Sequence, residues 1–108
     1  MPFSESLAAR IRDALFRRSG IAEQKMFGGL CFLLHGNIVV GVRRDSLIAR
    51  LGDEEASKAL KKPYVTQMGT RHLMKGWVIV GPDGIDTDLQ LAAWIEKAVE
   101  FVEMLPAK

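Results

Sequence analysis

The best local cluster of polar chemistry in the sequence is Lys75 with Arg71 and His72 close before it, followed by Gly76. Cations held close together, beside a glycine that lets another group come near the backbone, suit an anion or an acidic partner. The same cluster suits a charged, solvated edge strand, where charge discourages pairing with another chain. A second run, Met26-Phe27-Gly28-Gly29, precedes a long apolar stretch. Paired glycines before a strand mark a bulge or a close backbone approach, or else a plain turn. Met26, Phe27, Gly28, Gly29, Arg71, Lys75 and Gly76 are therefore the candidate contact residues.

Catalytic and metal chemistry find less to work with. Cys31 is the single cysteine, which leaves no intrachain disulfide and no cysteine-rich zinc site. It sits between Leu30 and Phe32, where an inert packed thiol is expected over a reactive one. His35 and His72 are the two histidines, and they do not share one element as metal ligands would. Gly28-Gly29 lacks the spacing and the Lys-Ser/Thr of a phosphate loop, and Ser19, Ser46 and Ser57 lack a nucleophile elbow. Phe27 and Trp77 could stack bases, but no RNA-binding signature surrounds them. The expectation is a protein that is not an enzyme and holds no cofactor or metal.

The elements that must position these residues follow from periodicity. Ser4 is placed to cap a first helix bearing Leu7, Ile11, Ala14, Leu15 and Arg18 on one face, with Gly20 as its terminator. Arg10, Arg12, Arg17 and Arg18 form a basic set on that helix. Leu30, Phe32 and Leu34, then Ile38, Val40 and Val42, alternate on either side of Gly36-Asn37. That is a β-hairpin with glycine in the turn. Both of its faces are largely apolar, so it is covered on both sides, or covered on one and dimerised on the other. Ser46–Leu51 reads as a third strand. A short helix follows, with Asp53 as its cap and a Glu54–Lys58 pair, and Pro63 stops it. Tyr64–Met68 and Leu73–Val80 read as two more strands around a polar loop. Thr87 and Gln90 fit a capping box for a long final helix with the stripe Leu91, Trp94, Ile95, Ala98, Phe101, Val102 and Leu105. The fold class is α+β: two layers, with a sheet of about five mainly antiparallel strands, N- and C-terminal helices, and one short middle helix.

Bulk composition sets the outer bounds. The 108 residues fit one domain spanning 1–108, and 48% hydrophobic with 26% charged is ordinary for a globular protein. Lys+Arg 15 against Asp+Glu 13 gives a formal charge of +2, below the clustered excess of a dedicated nucleic-acid binder. No stretch has the form of a signal peptide or a membrane span, so a cytoplasmic protein is expected.

Met26-Phe27-Gly28-Gly29 ahead of an apolar hairpin, then Met74-Lys75-Gly76-Trp77-Val78 and Gly84-Ile85 before a Leu/Trp-bearing C-terminal helix, resembles the TfoX/Sxy N-terminal domain family. The resemblance runs from Lys25 to Phe101. It implies a compact α+β fold with an antiparallel sheet and no catalytic residues. The best-known members are bacterial regulators of DNA-uptake competence, thought to act with the cyclic-AMP receptor protein at promoters as coactivators. Those regulators carry a second, helical domain, whereas this sequence stops at Lys108, so a single-domain member is expected. The resemblance implies a non-enzymatic interaction module whose partner is a protein of the transcription machinery. Two alternatives are weak DNA binding through the arginines of the first helix and a small-ligand-binding domain. A homodimer is also expected, from the two-faced hairpin and the broad C-terminal stripe.

Overall fold

The computed structural model describes residues 3–26, 28–69 and 75–106. Phe27 and Arg71, two of the candidate contact residues, lie outside them, as do His72, Leu73 and Met74.

Helix α1 (Glu5–Leu15) starts where Ser4 Oγ accepts a hydrogen bond from the Leu7 N–H at 3.1 Å. Its buried face is Leu7, Ala8, Ile11 and Leu15, while Ala14 is exposed. The helix stops short of Gly20, so that glycine is not its terminator. Instead the Gly20 carbonyl accepts the His35 N–H at 2.9 Å, at the start of the first strand.

Six strands follow: β1 (Ile21–Met26), β2 (Gly29–Leu34), β3 (Asn37–Arg43), β4 (Ser46–Arg50), β5 (Val65–Gln67) and β6 (Trp77–Val80). They form one sheet in the order β1-β2-β3-β4-β6-β5, with every neighbouring pair antiparallel. The sheet has one strand more than expected. The addition is β1, whose Ala22, Glu23, Gln24 and Lys25 are all exposed. As an edge strand with little to bury, it carries no apolar alternation to announce it.

The hairpin turn differs by one residue from expectation. It is His35-Gly36, with φ of 50° and 87°, the pair of positive values that a primed turn uses. Asn37 belongs to β3 and is buried, and its Nδ2 donates to the Pro106 carbonyl at 2.8 Å. Phe32 pairs with Val40 and Leu33 with Ile38, so Val39 is an extra residue in β3. This bulge turns Val39 into the core alongside Val40 and Val42.

Helix α2 (Asp53–Ala59) follows Gly52, and α3 (Asp88–Glu103) follows Thr87. Thr87 Oγ1 accepts the Gln90 N–H at 3.1 Å and Gln90 Oε1 accepts the Thr87 N–H at 3.0 Å, the expected capping box. Asp53 is the first helical residue of α2 and not its cap; Gly52 holds that place without a side-chain bond.

Helices and sheet make two layers. α3 lies across β2, β3 and β4, α1 lies against α3 and β3, and α2 lies beside β6. Between them pack Leu30, Phe32 and Leu34 of β2, Val40 and Val42 of β3, Leu47 and Ala49 of β4, and Val78 and Val80 of β6. Leu91, Trp94, Ile95, Ala98, Val99 and Val102 of α3 close the layer. Trp94 also donates its indole N–H to the Gly84 carbonyl at 3.0 Å, so its polar edge is satisfied inside the core. On the other side of the sheet, Gln24, Cys31, Gly41, Ile48, Ile79 and Thr66 form one row across the strands. Cys31 and Ile48 in that row are fully buried too.

Candidate interaction surface

The first candidate segment lies at the β1–β2 turn. Met26 closes β1 opposite Gly29, and Gly28 between them has φ +73° with open space around it. Gly29 is different. A Cβ there would fall 1.8 Å from the Val42 carbonyl oxygen. The two open readings of the glycine pair therefore both apply: Gly28 makes the turn, and Gly29 admits a close approach. The group that approaches is the chain's own β3.

The second candidate segment lies before β6. Lys75 is exposed and Gly76 is buried. The Gly76 carbonyl accepts hydrogen bonds from the Leu51 N–H at 2.7 Å and the Gly52 N–H at 3.1 Å. At φ +84°, a Cβ on Gly76 would sit 3.2 Å from the Gly52 backbone. Glycine is needed here so that this segment can clamp the junction between β4 and α2.

Antiparallel pairing separates the two segments. Met26–Gly29 shares an end of the sheet with the Arg43–Ser46 turn, whereas Gly76 adjoins Trp77, which pairs with Arg50 at the opposite end. They do not form one continuous surface.

Two grooves flank α2. One, of about 290 Å³, contains Lys75 and Gly76 together with Asp53, Ala56, Ser57, Leu60 and Gln67. The other, of about 310 Å³, lies between α2 and the end of α3 and is lined by Leu51, Gly52, Asp53, Glu54, Glu55, Lys97, Glu100, Phe101 and Met104. The second was not anticipated. Its signal was Met104, a large apolar side chain placed beyond the buried stripe of α3 and 76% exposed.

Three of the four arginines of the expected basic set are engaged within the chain, and Arg17 and Arg18 lie past Leu15, where α1 ends. Arg10 Nε is 3.2 Å from Asp88, and Arg18 meets Glu96 at 3.0 Å and Glu103 at 3.2 Å. Arg12 makes a two-pronged contact with Glu23 of β1 at 2.6 and 2.8 Å. Those hydrogen bonds hold the Glu23 carboxyl below its ordinary range, against a smaller opposing effect of partial burial. Arg50 has no carboxylate partner among the described residues. Its guanidinium lies 5.1 Å from the Trp77 ring centre and 5.8 Å from that of Phe101.

Cys31 is fully buried, and burial pushes its thiol up to about 11. A thiolate is the nucleophilic and metal-binding form, so this environment opposes both roles. Among the described residues, no three His, Cys, Asp or Glu side chains are grouped to hold a metal. Also among them, no helix is long and apolar enough to cross a membrane.

A family model for the TfoX N-terminal domain matches residues 13–102. The chain belongs to the TfoX N-terminal domain family. The match takes in every strand, α2, and α3 as far as Val102. No curated protein and no solved structure matches the chain.

Proposed function

We propose that this TfoX N-terminal domain is a non-enzymatic protein-interaction module, an accessory regulator of transcription in the bacterial cytoplasm. The observation that carries the reading is family membership over residues 13–102, since the family's best-known members are thought to act as coactivators with another protein. Two features agree with it. The one thiol is buried and held in its neutral form. Three of the four arginines that would reach for phosphates are paired with the chain's own carboxylates, which favours a protein partner over DNA. Lys75 and Gly76, in the groove beside α2, are the candidate contact residues that share a concave surface. Homodimerisation belongs to the same proposal, through the outer face of the β2–β3 hairpin, where Leu33 and Ile38 are half-buried.

The test is a tagged pull-down from the native host, with and without nuclease. A protein partner that survives nuclease supports the module. Recovery that vanishes with nuclease moves the assignment to nucleic-acid binding, whose affinity must then fall with salt as counterions are released. Turnover of a substrate that disappears in Lys75→Ala would sink the non-enzymatic reading.

A further inference from the structure

The groove between α2 and the end of α3 combines an apolar floor with an acidic rim. Leu51, Phe101 and the exposed Met104 supply the floor. Asp53, Glu54 and Glu55 come from one side and Glu100 from the other, against a single lining cation, Lys97. Lys97 Nζ is 3.9 Å from Glu55, and Lys58 Nζ is 3.6 Å from Glu54 and 3.7 Å from Glu55. Asp53 and Glu100 have no ion-pair partner among the described residues. The lining thus carries four carboxylates against one cation, with Lys58 paired to the rim and Arg50 beside the floor at Phe101, on a chain whose formal charge is +2.

The floor is also pre-set. Arg50 contacts the Phe101 ring, and Gly52 lets that ring lie close to the backbone, since a Cβ at Gly52 would fall 2.6 Å from Phe101 Cδ1. An aromatic side chain already fixed in place loses little freedom when a partner arrives.

We propose that this groove docks a basic segment of a partner protein. One apolar side chain of the segment seats against Phe101 and Met104, and its Lys or Arg side chains face Glu100 and Asp53. The inference rests on the interaction-module reading and adds the surface and the charge of the partner. Apolar anchors supply most of the energy at such sites, and charge complementarity supplies orientation and selectivity. An acidic segment would meet like charge at Asp53, Glu54, Glu55 and Glu100.

The probe is a short fluorescein-labelled amphipathic peptide with lysines on one face and leucine and phenylalanine on the other. The comparison is the same peptide with every lysine replaced by glutamate. Fluorescence anisotropy with the full chain should show saturable binding of the lysine peptide, weakened by salt, and none of the glutamate peptide. Glu100→Lys and Met104→Ser should each weaken binding at least about fivefold, as expected for loss of a charge contact or an apolar anchor. Lys25→Ser, on the far edge strand, should not. Both groove residues are exposed, so thermal melts of these variants should match the parent. Equal binding of the glutamate peptide, no binding of the lysine peptide, or groove variants that bind like the parent would each overturn the proposal. A change of mass in light scattering with Glu100→Lys would also overturn it, because the occupant would then be a second copy. Pull-downs separate the two levels. A host protein still captured by both groove variants refutes the groove and leaves the module standing, whereas no capture by the parent refutes the module.

Discussion

At the scale of single residues, adjacent glycines in this domain differ in what they make possible. Gly28 needs only its left-handed backbone, while Gly29 needs the absence of a side chain. Gly29→Ala should therefore cost more than Gly28→Ala: about 2–3 kcal/mol for forcing a methyl against a backbone carbonyl, against about 1 kcal/mol for the strained φ. Urea melts of the two variants measure the difference, and equal costs would show that β3 can yield. Cys31 makes a second test at this scale. Its thiol ionises near 9 in the unfolded chain and is held up to about 11 in the fold. The unfolded state therefore loses its proton first as pH rises. Stability from this group is intact below pH 9 and falls between about 9 and 11. Labelling by an aromatic disulfide at pH 8 should be slow in the folded protein and immediate in denaturant. Fast labelling without denaturant would mean that the buried position opens readily.

At the scale of elements, the ends of helices and the edge of the sheet set local stability. Thr87→Ala removes the capping box of α3 and should cost about 1 kcal/mol. A loss well below that would show that tertiary packing alone fixes the start of α3. The Arg12–Glu23 contact ties α1 to the edge strand β1. Because the folded carboxyl is held below its ordinary value, the contact stabilises above the unfolded value near 4.5 and its contribution is lost as pH falls through the lower folded value. The pair is half exposed, so Glu23→Gln should cost under about 1 kcal/mol at neutral pH and almost nothing in high salt. A parent and variant whose stabilities stay parallel through the acid range would refute this coupling. Elements with strong signals were legible in the sequence: Ser4, the alternation through Leu30–Leu34, and Thr87 with Gln90 all stand where their chemistry places them. β1 was not legible, because an edge strand of Glu23, Gln24 and Lys25 buries too little to show a period. Ile38 was misread as sharing a face with Val40 and Val42, since a bulge changes register without changing composition, and Asn37 was misread as a turn residue because His35 takes the positive φ instead.

At the scale of the whole molecule, the candidate surface was legible only in part. Lys75 and Gly76 do line a groove, but Gly76 is occupied by the chain's own Gly52. The acidic groove was hidden because its halves are 45 or more positions apart (Asp53–Glu55 and Glu100–Met104, 100 − 55 = 45). Phe101 belongs to a stripe that reads as core, and Glu54 to an ordinary helical ion pair. The long C-terminal stripe, one of the reasons to expect a dimer, is consumed by the sheet beneath it. That leaves the hairpin's outer face, with half-buried Leu33 and Ile38, as the remaining ground for the expected dimer. Light scattering that stays at the monomer mass over a wide concentration range would end that expectation.

The layering has a consequence for the nascent chain. β1 to β4 are complete at Arg50, but α3, which covers β2, β3 and β4, is not finished until Glu103, 53 residues later (103 − 50). At roughly 5–20 residues per second, synthesis leaves that interval open for about 3–11 s. Throughout it, Leu30, Phe32, Val40, Val42, Leu47 and Ala49 form an apolar sheet surface that α1 covers only at β3. The meander can pair its strands from local contacts alone, yet it stays adhesive until the last helix emerges. A ribosome pausing between Gly52 and Thr87 would prolong that adhesive stage and make aggregation on the ribosome the characteristic failure of this fold.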